Sequence, residues 1–334
     1  MPEAARVFRP FGDQRGAPES PMLATLNLSS GVFRHTSTSA GFRMGWRSPA
    51  ANATLNITGG LFDEYADVMM AQNGNTSRLY LGGGTLCARN ITHNSTNGIS
   101  LLTFNGDTLQ PRAAGYTLSG LTSAAVSTNG LAIDTSLASC TVAQKLSTDP
   151  SLGGATDGGL VKLGTNTLTW ASTNSTFTGK TVVSNGTLRL LANLPVASAL
   201  EVAPSGETLV GGGATQNLTF ASVSLQGGGK LSFAFLVDGT SNDRATVSNA
   251  VDLAAGRIGL YQANTTLPFT KNGTYTLLSY SGAAPDVASL TCANAAYGKV
   301  YSFSSSAGTV RVTIASDTAT TSLWKTNGGG NWSD

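Results

Sequence analysis

The sequence predicts an all-β chain wound into a right-handed parallel β-helix. Three observations lead there. First, short apolar alternations recur, each just after a glycine that follows a small or turn-forming residue. These glycines run Gly60, Gly84, Gly106, Gly130, Gly159, Gly186, Gly206, Gly229, Gly256 and Gly273, mostly at intervals of ~20–27 residues. Second, only 11% of residues are charged, against roughly 25% in an ordinary globular domain. The hydrophobic share is 40% and regularly spaced, so a core can still form. Third, helical periodicity is sparse. An antiparallel sandwich would mark a turn every ~8–12 residues, whereas one solenoid rung with two or three short strands fits the longer interval. A β-sandwich stays open as the alternative for part of the C-terminal half.

The elements follow in order. Residues 1 to about 20 lack periodicity, and residues 1–40 are read as an irregular N-terminal segment. Residues 41–320 carry the coil. Thr54–Leu55–Asn56–Ile57–Thr58, Leu79–Tyr80–Leu81 and Leu102–Thr103–Phe104 are strand-like alternations that precede turn residues. The run from Leu61 to Met70 allows a helical turn or two, but Ala66 to Met70 sits where a rung would place a strand, and the strand is the preferred reading. Residues 321–334 end in GGGNWSD, with Trp324 and Trp332 opening a further segment. The N-terminus has charges and prolines but no apolar secretory core. The chain therefore reads either as cytosolic or as a fragment whose signal lies upstream, and the C-terminal pattern favours the fragment.

The chemistry-bearing residues are few. Cys87, Cys140 and Cys292 are an odd, scattered set without a CxxC spacing, and read as buried small hydrophobes. A net charge of +2 argues against a nucleic-acid partner. No apolar run approaches the ~20 residues of a membrane span. Asp63, Glu64 and Asp67 form the densest acidic group. On a strand Asp63 and Glu64 would face opposite sides, and the group reads as a solvated edge. Asp238, Asp243 and Arg244 form a second cluster that turn chemistry explains. His35 and His93 are the two histidines. Neither has a nearby Ser/Asp or Cys arrangement that suggests nucleophilic catalysis, and His93 reads as an exposed loop residue. The glycine runs at residues 82–84 and 211–213 lack the Gly-Lys-Ser/Thr of a phosphate loop. Asn-x-Ser/Thr triplets such as Asn90–Ile91–Thr92 are expected by chance in so Asn- and Thr-rich a chain. No catalytic, cofactor-binding or metal-ligating residue is assigned, and no cofactor is expected.

One stretch is sharper than the rest. Residues 158–190 read GGLVKLGTNTLTWASTNSTFTGKTVVSNGTLRL. They contain no His, Cys, Asp or Glu, so they build strands and turns without offering an acid, a base or a thiol. This stretch resembles the autotransporter-associated β-strand repeat, also called the passenger-associated transport repeat. The matching positions are Gly159, Leu160, Lys162, Gly164, Thr167, Leu168, Thr169, Asn174, Phe177, Thr178, Gly179, Thr181, Val183, Gly186, Thr187 and Leu188. Asn166, Trp170 and Phe177 stand where the family usually has Gly, Leu and Tyr. Residues 53–62, 101–110, 239–248 and 273–282 resemble the same bacterial surface proteins more loosely.

The resemblance implies a parallel β-helical passenger segment, secreted or displayed at the bacterial cell surface beyond the outer membrane. In that family the repeat is associated with efficient secretion. The implied partners are export machinery or a membrane barrel in the full-length parent, and surface glycans or proteins of a host or the environment. Two functions follow as expectations: a non-enzymatic structural or adhesive scaffold, and, as the alternative, a carbohydrate-active lyase- or hydrolase-like β-helix. The second needs carboxylates grouped on one face.

Overall fold

A computed structural model describes residues 24–45 and 52–317. The chain is nearly all β and forms a parallel β-solenoid of about nine turns, as the sequence predicts. It divides into two compact units. The first comprises Met1–Val161 and Ser172–Gly179, the second Lys162–Ala171 and Lys180–Asp334.

In the first unit, one six-stranded sheet stacks Ala24–Leu28, Ala53–Ile57, Thr76–Leu81, Ile99–Phe104, Ser123–Val126 and Ser147–Thr148. All of its reported pairings are parallel and bring like residues together. Leu26, Leu55, Leu79, Leu102 and Ala124 form one row, and Leu28, Ile57, Leu81, Phe104 and Val126 a second. From Leu55 and Ile57 onward these side chains are buried. Each full burial of a Leu or Ile is worth roughly 1.5–3 kcal/mol. A neighbouring series pairs Phe33, Phe62, Leu86, Leu109 and Ile133 in register. A three-stranded sheet of Phe42–Arg43, Asp67–Met70 and Asn90–His93 adds a third side. The strand reading of the segment ending at Met70 is therefore correct, beginning at Asp67. Phe33 stacks on Phe62 at 4.6 Å, and Phe42 meets both rings edge-on.

Two strands of this unit, Ala24–Leu28 and Val32–His35, lie inside the 1–40 segment expected to be irregular. The signal for them is in the sequence. ATLNLSSGVFRH at residues 24–35 repeats as ATLNITGGLFDE at residues 53–64. The two copies pair residue for residue, Ala24 with Ala53 and His35 with Glu64. Gly60 turns the second copy with φ +72, and a Cβ there would lie 2.3 Å from the carbonyl oxygen of Gly31. Only glycine fits so close a rung-to-rung approach in that conformation. Residues 1–23 and 321–334 lie outside the described residues.

In the second unit the strands lengthen. Thr181–Leu190 pairs in parallel with Leu200–Val210, with a register irregularity between Val183 and Asn185. Their inward rows run on through Lys230–Phe235 and Arg257–Gln262. Leu168, Leu188, Thr208, Leu231 and Ile258 align, as do Trp170, Leu190, Val210, Phe233 and Leu260. A five-stranded sheet begins in parallel with Asn217–Phe220, Arg244–Val247 and Gly273–Tyr280. It then changes direction. Thr309–Ser316 runs antiparallel to Gly273–Tyr280, and Lys299–Ser306 runs antiparallel to Thr309–Ser316. The parallel coil thus does not occupy the whole of residues 41–320, because its last described strands form a hairpin. Ala307 and Gly308, with φ 49 and 73, make that turn. Two consecutive positive φ values match the twist of a tight hairpin.

Candidate functional site

The sharp repeat is the first place to look for function. Two of its buried polar side chains bond to backbone carbonyls. Lys162 is completely buried, and its Nζ donates to the carbonyl oxygens of Leu163 and Gly164 at 2.8 Å and of Asn185 at 2.9 Å. Three donors thus meet three backbone acceptors at a corner, two of them in its own rung and one from the next. Trp170 is also fully buried, its indole N–H donating to the Asn193 carbonyl at 3.2 Å.

Asp157, just before the stretch, is a residue the sequence reading missed. Its carboxylate accepts from the Thr148 hydroxyl at 2.5 Å and from the backbone N–H groups of Thr178, Gly179 and Gly159 at 2.7, 2.8 and 2.9 Å. Burial pushes its pKa up, but these hydrogen bonds outweigh burial and hold it below the usual carboxylate range. An Asp two residues before a corner glycine, with a Thr-Gly about twenty residues on, is the pattern that would have found it.

The densest charge in the first unit lies where residues 24–35 and 53–64 stack. The solvated-edge reading of Asp63, Glu64 and Asp67 is wrong here. Asp63 is 4% exposed and Glu64 0%. The Arg34 Nε donates to Asp63 Oδ2 at 2.7 Å, and the Arg112 guanidinium pairs with the other oxygen. Arg112 also donates from Nε to the Glu64 carbonyl at 3.0 Å and stacks 3.8 Å over the Tyr65 ring. His35 Nδ1 lies 2.9 and 3.0 Å from the two Glu64 oxygens, and the Ala66 N–H donates to Glu64 Oε1 at 2.9 Å. Burial raises the Glu64 pKa, while the Ala66 and His35 hydrogen bonds act against it. Asp67 takes a bidentate pair from Arg89 at 2.9 and 3.1 Å.

Register explains the correction. Parallel pairing sets Arg34 beside Asp63 and His35 beside Glu64. Asp63 and Glu64 are adjacent yet both buried, because Arg34 and Arg112 cover Asp63 while His35 and the Ala66 N–H meet Glu64. All three carboxylates are thereby tied to cations or N–H donors, and this cluster holds charge internally.

His93 also departs from its expectation. It ends the strand Asn90–His93, is half-buried, and lies 2.8 Å from the Ser100 hydroxyl. Ser100 is completely buried and also accepts from the Thr122 N–H at 3.0 Å. The pair is an internal hydrogen bond, with the serine out of reach of a substrate.

In the second unit, Asp238 accepts from the Thr240 N–H at 2.9 Å and its hydroxyl at 2.7 Å, which is turn chemistry as expected. Asp243 is buried instead, and its oxygens accept from the N–H groups of Gly212 and Gln216 at 2.7 and 2.8 Å. Arg244 is exposed at the start of its strand. The three do not converge.

Cys87, Cys140 and Cys292 are not joined in disulfides. Cys87 and Cys140 are buried, and burial pushes the Cys87 thiol up to about 11, with Asp134 adding to it. Among the described residues no group of three His, Cys, Asp or Glu side chains is placed to hold a metal ion. No helix there is long and apolar enough to cross a membrane.

The second unit contains an open cavity of about 550 Å³. Arg189, Leu209, Ala234 and Tyr261 line it from the strands, and Gly212 and residues 264–267 from two turns. No family model matches this chain, and no curated protein matches it.

Proposed function

We propose that the chain is a non-enzymatic, passenger-type β-helix segment of a bacterial surface or secreted protein. It acts as a structural and adhesive scaffold, and the repeat at residues 158–190 aids its export. The observation that carries this reading is the use of the repeat's polar residues. Lys162 donates its hydrogen bonds to backbone carbonyls, one of them in the next rung. Asp157, Thr178 and Gly179 interlock in the same rung-to-rung way. Each rung thereby needs its neighbour to satisfy buried groups, so a rung that has folded templates the one that follows. Folding outside the membrane then opposes backsliding without a chemical energy source. The internal pairing of Asp63, Glu64 and Asp67 supports a scaffold over a carbohydrate-active site built on that cluster.

The test places the chain between a secretory leader and an outer-membrane barrel. Removal of residues 158–190 should lower the protease-accessible fraction at the cell surface at unchanged total synthesis. Equal surface exposure with and without the repeat would overturn the export role.

A further inference from the structure

Arg189 is held differently from the other buried or half-buried cations. Its Nε donates to the Gly211 carbonyl at 2.8 Å, which anchors the guanidinium at the wall of the open cavity. Its two Nη groups have no protein partner among the described residues. Register accounts for this. Arg189 stands between Thr169 and Leu209 on the adjoining strands, and neither can neutralise it. Gly212, with φ +110, lets the guanidinium lie close, since a Cβ there would be 3.1 Å from Nη2.

The remaining ionic groups nearby are occupied. Glu207 accepts from Lys230 at 2.7 Å and from the Ser232 hydroxyl at 2.6 Å. Lys230 also donates to the Tyr261 hydroxyl at 3.2 Å, which steadies that ring. Both oxygens of Asp243 are taken by backbone N–H groups. The ring of Tyr261 is half-exposed at the cavity and lies close over Gly259, where a Cβ would meet Tyr261 Cε2 at 3.0 Å. The wall formed by residues 264–267 is tied down by the Asn264 N–H, which donates to the Gly212 carbonyl at 2.8 Å. That wall presents Asn264 and Thr266, and Leu267 is 57% exposed at the rim.

We infer that this cavity binds an acidic sugar residue: the Arg189 Nη pair takes its carboxylate, and Tyr261 takes the C–H face of its ring. The planar Nη pair matches a carboxylate in bidentate geometry. The aromatic face offers apolar contact beside polar groups. Asn264 and Thr266 supply hydrogen bonds for sugar hydroxyls. The volume falls in the range of small-molecule sites, roughly 300–1,000 Å³. One available cation favours a singly charged carboxylate over a phosphate, whose second charge would go unmatched. The inference deepens the adhesive part of the proposed function by naming a ligand class, and it is independent of the export role.

The test uses the full chain in solution, with glucuronate, glucose and inorganic phosphate as probes, read by titration calorimetry and saturation-transfer NMR. Glucuronate should bind about tenfold or more tightly than glucose, the increment expected of a charge-assisted hydrogen-bond pair. Arg189→Gln should bring glucuronate down to the glucose level. Leu267→Asp, a change at an exposed rim position, should weaken glucuronate without disturbing the fold. Equal glucuronate binding by wild type and Arg189→Gln, or no binding by the wild type, overturns the site. Phosphate binding more tightly than glucuronate overturns the sugar assignment. Failure of the surface-exposure test with glucuronate binding intact would remove the export role alone, and the converse result would remove the site alone.

Discussion

The stacked pair of rungs at residues 24–35 and 53–64 and the cavity beside Arg189 treat arginine in opposite ways. In the first, the side-by-side register of a parallel coil sets Arg34 against Asp63 and His35 against Glu64, while Arg112 reaches in from a later rung. In the second, the same kind of register sets Arg189 between Thr169 and Leu209. A solenoid residue's chemistry is decided by what lies one rung before and one rung after it. Charge is neutralised where rungs are complementary and left for a ligand where they are not.

The largest expected effect tests whether rung-to-rung polar bonding carries stability at all. Asp157→Ala should cost ~3–5 kcal/mol, because it strands several buried donors at once. The effect should depend on pH with a definite sign. The Asp157 pKa is depressed in the folded protein, so its contribution is present above the unfolded carboxylate range, about 3.9. That contribution is lost as pH falls through the folded value. Denaturant melts of wild type and Asp157→Asn should therefore differ most near neutrality and converge in acid. A gap that stays constant with pH would show that the carboxylate charge is not what the corner uses.

The next effect tests the neutralised side of the comparison. Asp63→Leu should destabilise by about 3 kcal/mol, since it leaves the half-buried Arg112 without its carboxylate partner. The double variant Asp63→Leu, Arg112→Met should recover most of that loss. Additive losses in the double-mutant cycle would mean that the ion pair is not the coupling.

The smallest effect tests the open side. Arg189→Gln should change stability by less than about 1 kcal/mol, as it loses a single hydrogen bond to Gly211. Chemical melts decide it. A loss as large as that of Asp63→Leu would assign Arg189 to the structure and erase the contrast.

The coil itself was legible because its signal is local: a turn glycine, then an apolar alternation, then the same again. So was the preference for a strand ending at Met70. The charge cluster was not, because its partners are 29 and 48 residues apart in sequence. A strand-by-strand reading treats Asp63 and Glu64 as neighbours of each other, whereas in the fold they are neighbours of Arg34 and His35. Setting VFRH above LFDE exposes the pairing, since the apolar positions repeat while the charges invert. The terminal hairpin was hidden by its turn. Ala307 adopts a positive φ that alanine rarely takes, so nothing in SSSAGTV marks a reversal as Asn-Gly would. The Arg189 cavity arises from non-neighbours, with a strand, a glycine turn and the loop at residues 264–267 all contributing.

That hairpin also bears on how long such a stack can grow. An in-register parallel coil resembles a crystal face, in that every finished layer is a seed for the next copy of itself. Among the described residues of the five-stranded sheet, the layer after Gly273–Tyr280 runs the other way, and the edge strand, Lys299–Ser306, reverses once more. That edge strand points the same way as Gly273–Tyr280 again, so the reversed layer lies one strand beneath the edge. Among the described residues, Ala307 and Gly308 thus fold a stacking fault into an otherwise parallel series.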